Sequence, residues 1–343
     1  MSFRVTVVPA DRSFEVERDE AMLAAALRQG IGLPYGCRDG ACGSCKSRLV
    51  EGRVIHGAHQ LKALSAAEEA QGLVLTCCAA PQTDCVVESR QVVAAGQFAL
   101  LKLPVRVSAL ERVAPDVIVM TLQLPANHSF RYHAGQYIEF ILPGGARRSY
   151  SMATAAELAT TSIELHLRHL PGGKFTDQVF GAMKVKDILR IEGPLGSFFV
   201  REDSAKPMVL LASGTGLAPI KAIVEHLRAQ GTQRPTTLYW GCRRRADLYL
   251  DGWLREQAAE LAWLTYVPVL SEPAPEEGWT GRTGLVHAAV MSDLPDLSGH
   301  QVYACGAPVM VDAAQRDFVA LCGLPAEEFY ADAFVSEADK HGP

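Results

Sequence analysis

The sequence predicts a multidomain chain of α+β and α/β type, ordered as a small mixed domain, an antiparallel β-barrel and an open parallel sheet. Three observations carry this. Six of the nine cysteines fall before residue 86, which marks a specialised N-terminal module. Short β-rich runs broken by Pro and Gly fill residues 105–200, the pattern of an antiparallel barrel. From about residue 205 apolar strands alternate with helices, as in a sheet with helices on both faces. The expected boundaries are 1–93, a linker at 94–103, then 104–203 and 204–343.

A length of 343 residues suits two or three domains. With 48% hydrophobic and 21% charged residues the composition is that of a globular protein. A formal net charge of −5 gives no reason to expect nucleic acid or anionic membrane as a partner. The start "MSFRVTVVPADRSF" lacks the basic and apolar segments of a secretory signal. No apolar run approaches the roughly 18 residues of a membrane span. An odd cysteine count without an export signal argues against a disulfide framework, and a cytoplasmic location is expected.

In the first module "FRVTVV" and "SFEVER" read as a hairpin across "PADR". "DEAMLAAALRQG" reads as a helix with Asp19 as N-cap and Gly30 as its stop. Ser65 and Glu68 form a capping box that opens a short helix ending near Gly72. Between the helices lies "YGCRDGACGSCK", where Cys37, Cys42 and Cys45 have the spacing C-x4-C-x2-C. That is the plant-type [2Fe–2S] spacing. Glycines 36, 40 and 43 let the backbone wrap closely with N–H groups pointing inward. A zinc site would more often show two C-x2-C pairs, and a redox dithiol would open a helix. The fourth thiol must come from Cys77 or Cys78; as adjacent strand residues these face opposite sides. Arg38, Asp39 and Lys46 read as solvated loop charges, and Cys85 as a small packed residue.

In the second module "RRSYSMAT" places Arg148 and Tyr150 on one strand face, with Ser151 beside them. A guanidinium suits a diphosphate and a phenol ring can stack on a flavin. "LPGGKFTDQVF" puts Gly172 and Gly173 before a helix start, with Thr176 nearby, a natural phosphate site. His133 reads as a structural residue beside "GQY". In the third module Gly214-Thr215-Gly216-Leu217-Ala218-Pro219 departs from G-x-G-x-x-G, with Pro219 expected at a helix N1 position. "YACGAPVM" ends a later strand at Cys305-Gly306, followed by Pro308.

Three modules in this order, with "LTCCAAP", R-x-Y-S, "GPLGSF", the glycine turn and "C-G-x-P-x-M", resemble the iron–sulfur flavoprotein reductases of the ferredoxin–NADP reductase superfamily. The resemblance covers nearly the whole chain. It implies a β-grasp ferredoxin-like domain, an antiparallel β-barrel FAD domain and a Rossmann-like NAD(P) domain. It implies Cys77 as the fourth cluster ligand, and Arg148, Tyr150, Ser151, Gly172, Gly173 and Thr176 around FAD. Gly214, Thr215, Gly216 and Pro219 would take the nicotinamide nucleotide, with Cys305, Gly306 and Pro308 near its reactive end. An aromatic near the C-terminus would cover the flavin, Phe334 first and Tyr330 second. The implied activity is NAD(P)H-dependent electron transfer to a partner protein. That partner would be a pyridoxamine-dependent dehydratase of CDP-deoxysugar formation, or an oxygenase component acting on aromatics or alkanes. An electron-carrier or cluster-sensing module is the alternative of another class, and the intact R-x-Y-S and glycine turn argue against it. No acidic residue for a ribose 2′-hydroxyl stands out; Arg243, Arg244 and Arg245 occupy that region. NADH is the expected donor, with NADPH the alternative.

Overall fold

The computed structural model describes residues 2–94, 96–126, 129–158 and 161–336. The last seven positions of the expected third domain and Ala95 of the expected linker lie outside them. The chain divides into two compact units, 1–99 with 196–198 and 333–343, and 100–195 with 199–332.

In the first unit β1 (Ser2–Pro9) and β2 (Arg12–Glu17) form the expected hairpin, with Ser2 opposite Glu17 and Val7 opposite Arg12. Their period-two pattern buries Val5, Val7, Phe14 and Val16 on one face. Helix α1 (Met22–Arg28) adds Met22, Leu23, Ala25 and Ala26 to that core. Its N-cap is Ala21 rather than the expected Asp19, which sits earlier at φ 65°. The N–H of Leu23 bonds instead to the carbonyl of Thr76 at 2.9 Å. A tertiary acceptor thus replaces the side-chain cap. Gly30, at φ 79°, ends the helix as expected.

Then follow β3 (Ile31–Gly32), β4 (Lys46–Glu51), β5 (Val54–His56), α2 (Ala66–Ala70), β6 (Leu73–Leu75), β7 (Ala79–Pro81), β8 (Cys85–Ser89) and β9 (Val93–Ala94). The main sheet has the order β2-β1-β8-β4-β6, with β1 and β8 parallel. A mixed sheet holding one helix is a β-grasp arrangement. The predicted capping box is present: Glu68 N donates to Ser65 Oγ at 3.3 Å, and Ser65 N to Glu68 Oε2 at 2.8 Å.

The second unit begins with β10 (Leu101–Ala114), which starts inside the expected linker; Leu101, Lys102 and Leu103 face Gly193, Glu192 and Ile191. It continues with β11 (Val117–Gln123), β12 (Tyr137–Ile141), β13 (Arg147–Ser151), β14 (Ser162–Arg168), α3 (Lys174–Phe180) and β15 (Ile188–Leu195). These six strands have the order β13-β12-β15-β10-β11-β14. A bridge between Met152 and Leu165, and the bond from Ala153 N to Glu164 O (2.8 Å), join the two ends into a barrel. Two register shifts in β10 let its fourteen residues bend round the wall. Val105, Val107, Met120, Leu122, Phe140 and Leu165 fill the interior.

After the barrel come β16 (Met208–Ser213), α4 (Leu217–Ala229), β17 (Thr236–Cys242), α5 (Asp251–Glu260), β18 (Leu264–Leu270), β19 (Arg282–Thr283), α6 (Val286–Asp293), β20 (Gln301–Gly306), α7 (Pro308–Leu321) and β21 (Phe329–Ala333). The order is β19-β18-β17-β16-β20-β21, with β16 parallel to both β17 and β20. Strand order therefore reverses between β16 and β20. Such a switch point opens a crevice beyond the carboxyl ends of its two strands. None of the described helices is long and apolar enough to cross a membrane.

Candidate functional site

Residues 33–45 adopt neither helix nor strand, so their backbone is available to the thiols. The Sγ of Cys37 accepts from the N–H groups of Ala41 and Cys42, both at 3.3 Å, and Cys42 Sγ accepts from Cys37 N at 3.4 Å. Gly40, at φ 74°, has no room for a side chain, since a Cβ would lie 2.8 Å from the Cβ of His59. Cys45 is buried, and its thiol is hydrogen-bonded to Cys77.

Cys77 and Cys78 occupy a turn between β6 and β7 rather than a strand. The expected alternation of faces therefore does not separate them. Their partners do. Cys77 meets Cys45 and the Gly40 backbone, while Cys78 Sγ points to the Leu75 carbonyl at 3.7 Å and touches Cys77. The hydrogen bond from Cys45 pulls the Cys77 thiol down to about 4, with Cys78 adding to it. A [2Fe–2S] cluster takes four thiolates with hydrogen bonds to their sulfurs, and the thiols of this loop and of Cys77 have that chemistry. Cys85 is buried as expected. Lys46 is less solvated than expected; its Nζ bonds Glu68 Oε1 at 2.6 Å.

On β13 Arg148 and Tyr150 share a half-buried face. The Tyr150 ring meets Phe140 edge-on at 5.8 Å and Phe175 at 5.6 Å, and burial pushes its hydroxyl pKa up. Phe175 belongs to α3, so this aromatic cluster carries the start of that helix to β13. Gly173 is the N-cap of α3. Thr176 is buried and its hydroxyl donates to the Leu170 carbonyl at 2.9 Å, while Gly172 N donates to Asp177 at 3.1 Å. Thr176 thus shapes the loop with its side chain. His133 stacks on Phe199 at 4.4 Å, the structural role expected of it.

The glycine turn and the end of β20 lie against each other. A Cβ on Gly216 would stand 2.2 Å from the Cys305 carbonyl oxygen, and one on Gly306 2.3 Å from Ser213 Oγ. Ser213 Oγ also accepts from Ala307 N at 2.9 Å. Gly214, at φ 53°, lies under the Arg168 guanidinium, and its carbonyl accepts from Trp240 Nε1 at 2.9 Å. Pro219 is the third residue of α4, not the first. A helix leaves its first four N–H groups without internal partners, so proline is tolerated there too. Pro308 does occupy the first position of α7.

Three buried side chains converge beside this turn. Ser151 Oγ donates to Asp332 Oδ2 at 3.2 Å, and Cys305 Sγ lies 3.9 Å from the same oxygen. Burial holds the Cys305 thiol well above its usual pKa, so it is neutral at physiological pH. Sequence reasoning missed Asp332. Its signal was an acid alternating with apolar residues in "FYADAF". Tyr330 stacks on Tyr303 at 4.7 Å with Arg201 over its ring, so its ring is already engaged. Phe334 follows β21 and is half-buried. At the end of β17 Arg243, Arg244 and Arg245 are exposed, and Asp247 turns back to accept from Arg244 N at 3.0 Å.

Family models match in the same order: a 2Fe-2S iron-sulfur cluster binding domain over residues 5–82, an oxidoreductase FAD-binding domain over 104–200 and an oxidoreductase NAD-binding domain over 210–316. A curated relative from Yersinia pseudotuberculosis, CDP-6-deoxy-L-threo-D-glycero-4-hexulose-3-dehydrase reductase, is 39% identical over 98% of this chain and 99% of its own. The chain belongs to the iron–sulfur flavoprotein reductases. Another such reductase, the reductase component of a Pseudomonas phenol 2-monooxygenase, is 36% identical over 100% of this chain and 97% of its own. A solved structure of an Amycolatopsis cytochrome P450 reductase superposes with a TM-score of 0.77 at 35% identity, covering 97% of this chain and 98% of that one. Iron–sulfur flavoprotein reductases carry electrons from NAD(P)H through FAD to the [2Fe–2S] centre and on to a partner protein, and this chain is an enzyme of that kind.

Proposed function

We propose that the nicotinamide nucleotide lies on the Gly214–Pro219 turn with its reactive end between Ser151 and Cys305. The convergence of Ser151, Cys305 and Asp332 beside Gly216 carries this reading. Asp332 accepts the Ser151 hydrogen bond and so orients that hydroxyl, and the neutral Cys305 thiol places no charge beside the ring. Arg148 would bind the FAD diphosphate, Tyr150 would support the flavin ring, and Gly172, Gly173 and Thr176 would shape the phosphate loop. Phe334 would cover the flavin when no nucleotide is bound. Cys37, Cys42, Cys45 and Cys77 would hold the cluster. Flavin supplies the change of electron number, since NAD(P)H gives two electrons as hydride and the cluster takes one at a time. The chain's own part is to bind, orient and exclude water.

The physiological acceptor we favour is a pyridoxamine-dependent dehydratase acting on a CDP-sugar in the cytoplasm, supported by the 39% identity to the Yersinia reductase. An oxygenase component is the second reading, supported by the phenol monooxygenase relative and the P450 reductase structure. NADH is the favoured donor, with the exposed Arg243–Arg245 turn as the feature that would admit NADPH. Anaerobic titration with each nucleotide, followed by addition of a purified dehydratase or oxygenase component, tests all three points. Bleaching of the flavin by NADH and turnover only with the dehydratase is the expected result. Flavin left oxidised by both nucleotides would sink the nucleotide site.

A further inference from the structure

A chain of polar side chains, of which Lys221 and His166 are buried, runs from the barrel to the glycine turn. Lys221, on α4, is only 8% exposed. Its Nζ donates to the Ala153 carbonyl at 3.1 Å and to Glu225 Oε1 at 2.6 Å, and lies 3.2 Å from Glu164 Oε1. Glu225 Oε2 accepts from Ala155 N at 2.9 Å. The helix that leaves the glycine turn is thereby pinned to the segment just after Ser151. Glu164 in turn meets His166 Nε2 at 3.0 Å, and His166 Nδ1 meets the Tyr249 hydroxyl at 2.9 Å. The Tyr249 ring stands edge-on to Trp240 at 5.2 Å, and the Trp240 indole donates to the carbonyl of Gly214.

The direction of each bond follows from what the groups can do. A carboxylate only accepts, so His166 Nε2–H donates to Glu164. The His166 side chain has no solvent exposure, and burial lowers its pKa, so the ring is neutral. Its Nδ1 must then accept from the Tyr249 hydroxyl. No alternative pattern satisfies every member, and the chain has one arrangement. Its ends hold both limbs of the glycine turn, Gly214 through Trp240 and α4 through Lys221.

We propose that Lys221, Glu164, His166 and Tyr249 are positioning residues that set the nucleotide turn at hydride-transfer distance from the barrel strand bearing Ser151. This rests on the reading of Gly214–Pro219 as the nicotinamide nucleotide site. A misplacement of about 1 Å, even from a change remote from the chemistry, can slow a step roughly 100-fold. The holoenzyme and its Tyr249→Phe variant are mixed with NADH without oxygen. The limiting rate of flavin bleaching, the half-saturating NADH concentration and Tm are read separately. The expected result is a limiting rate lowered roughly tenfold, with half-saturation and Tm close to those of the parent. Bleaching at the parental limiting rate overturns the proposal, and so does a loss confined to NADH affinity or Tm. If Tyr249→Phe does not retain FAD, Glu164→Gln, which keeps the volume and weakens both neighbouring bonds, must show the same split or the proposal fails. A parent enzyme that neither NADH nor NADPH bleaches would remove the nucleotide site itself, a different failure from a bleached parent matched by its variants.

Discussion

Three of the four thiols proposed to hold the cluster come from the nine residues 37–45, and the backbone there supplies amides to the Cys37 and Cys42 sulfurs. The crevice proposed for the nucleotide is assembled otherwise, with Ser151 and Asp332 hydrogen-bonded across 181 residues of sequence. A local site can be damaged one residue at a time, whereas the crevice depends on three chain segments arriving together. Cofactor loss and loss of geometry are therefore expected to separate in this enzyme.

The largest effect is expected from Cys42→Ser. Iron and sulfide content and the low-temperature EPR signal should be lost, while NADH still bleaches the flavin. If flavin reduction disappears as well, the two regions are not independent and the comparison fails. Next comes Gly216→Ala, whose Cβ would collide with the Cys305 carbonyl. Flavin reduction should slow roughly 100-fold, with the cluster spectrum intact. Asp332→Asn keeps the shape and weakens the bond from Ser151. A charge-assisted hydrogen bond contributes about 2 kcal/mol, so the limiting rate should fall roughly 10- to 30-fold. Ser151→Ala should match it, and the double variant should be no slower than either single one.

The smallest effect lies in the first unit. The hydrogen bond from Lys46 holds the Glu68 carboxyl down at about 2, against an ordinary 4.5. A lowered folded pKa stabilises above the unfolded value and is lost as pH falls through the folded one. Glu68→Ala should cost about 1 kcal/mol at neutral pH. The Tm difference from the parent should shrink between pH 4.5 and 2; a difference independent of pH would show that the capping box acts without its charge.

What could be read from the sequence follows the same division. The cysteine spacing, the Ser65 capping box and the β16–α4 turn are local patterns, and each was legible. Asp19 was misread as a cap because the acceptor for Leu23, the Thr76 carbonyl, lies over fifty residues away. Cys77 and Cys78 were read as strand because "LVLTCCAA" is β-rich, yet the ladder stops at Leu75. Asp332 was invisible as a site residue, since only the fold brings β21 to Ser151. Tyr330 was a reasonable aromatic candidate until its stacking on Tyr303 became visible.

The interlock of Gly216 with Cys305, and of Gly306 with Ser213, bears on how such an enzyme can diverge. Each loop fills the space that a methyl group on the other would need, so neither can drift alone. The three arginines at the end of β17 carry no such constraint, being exposed. On the proposed placement of the nucleotide, adaptation to a different electron donor is open at its far end and closed at its reactive end, so a lineage can change its fuel without rebuilding its engine.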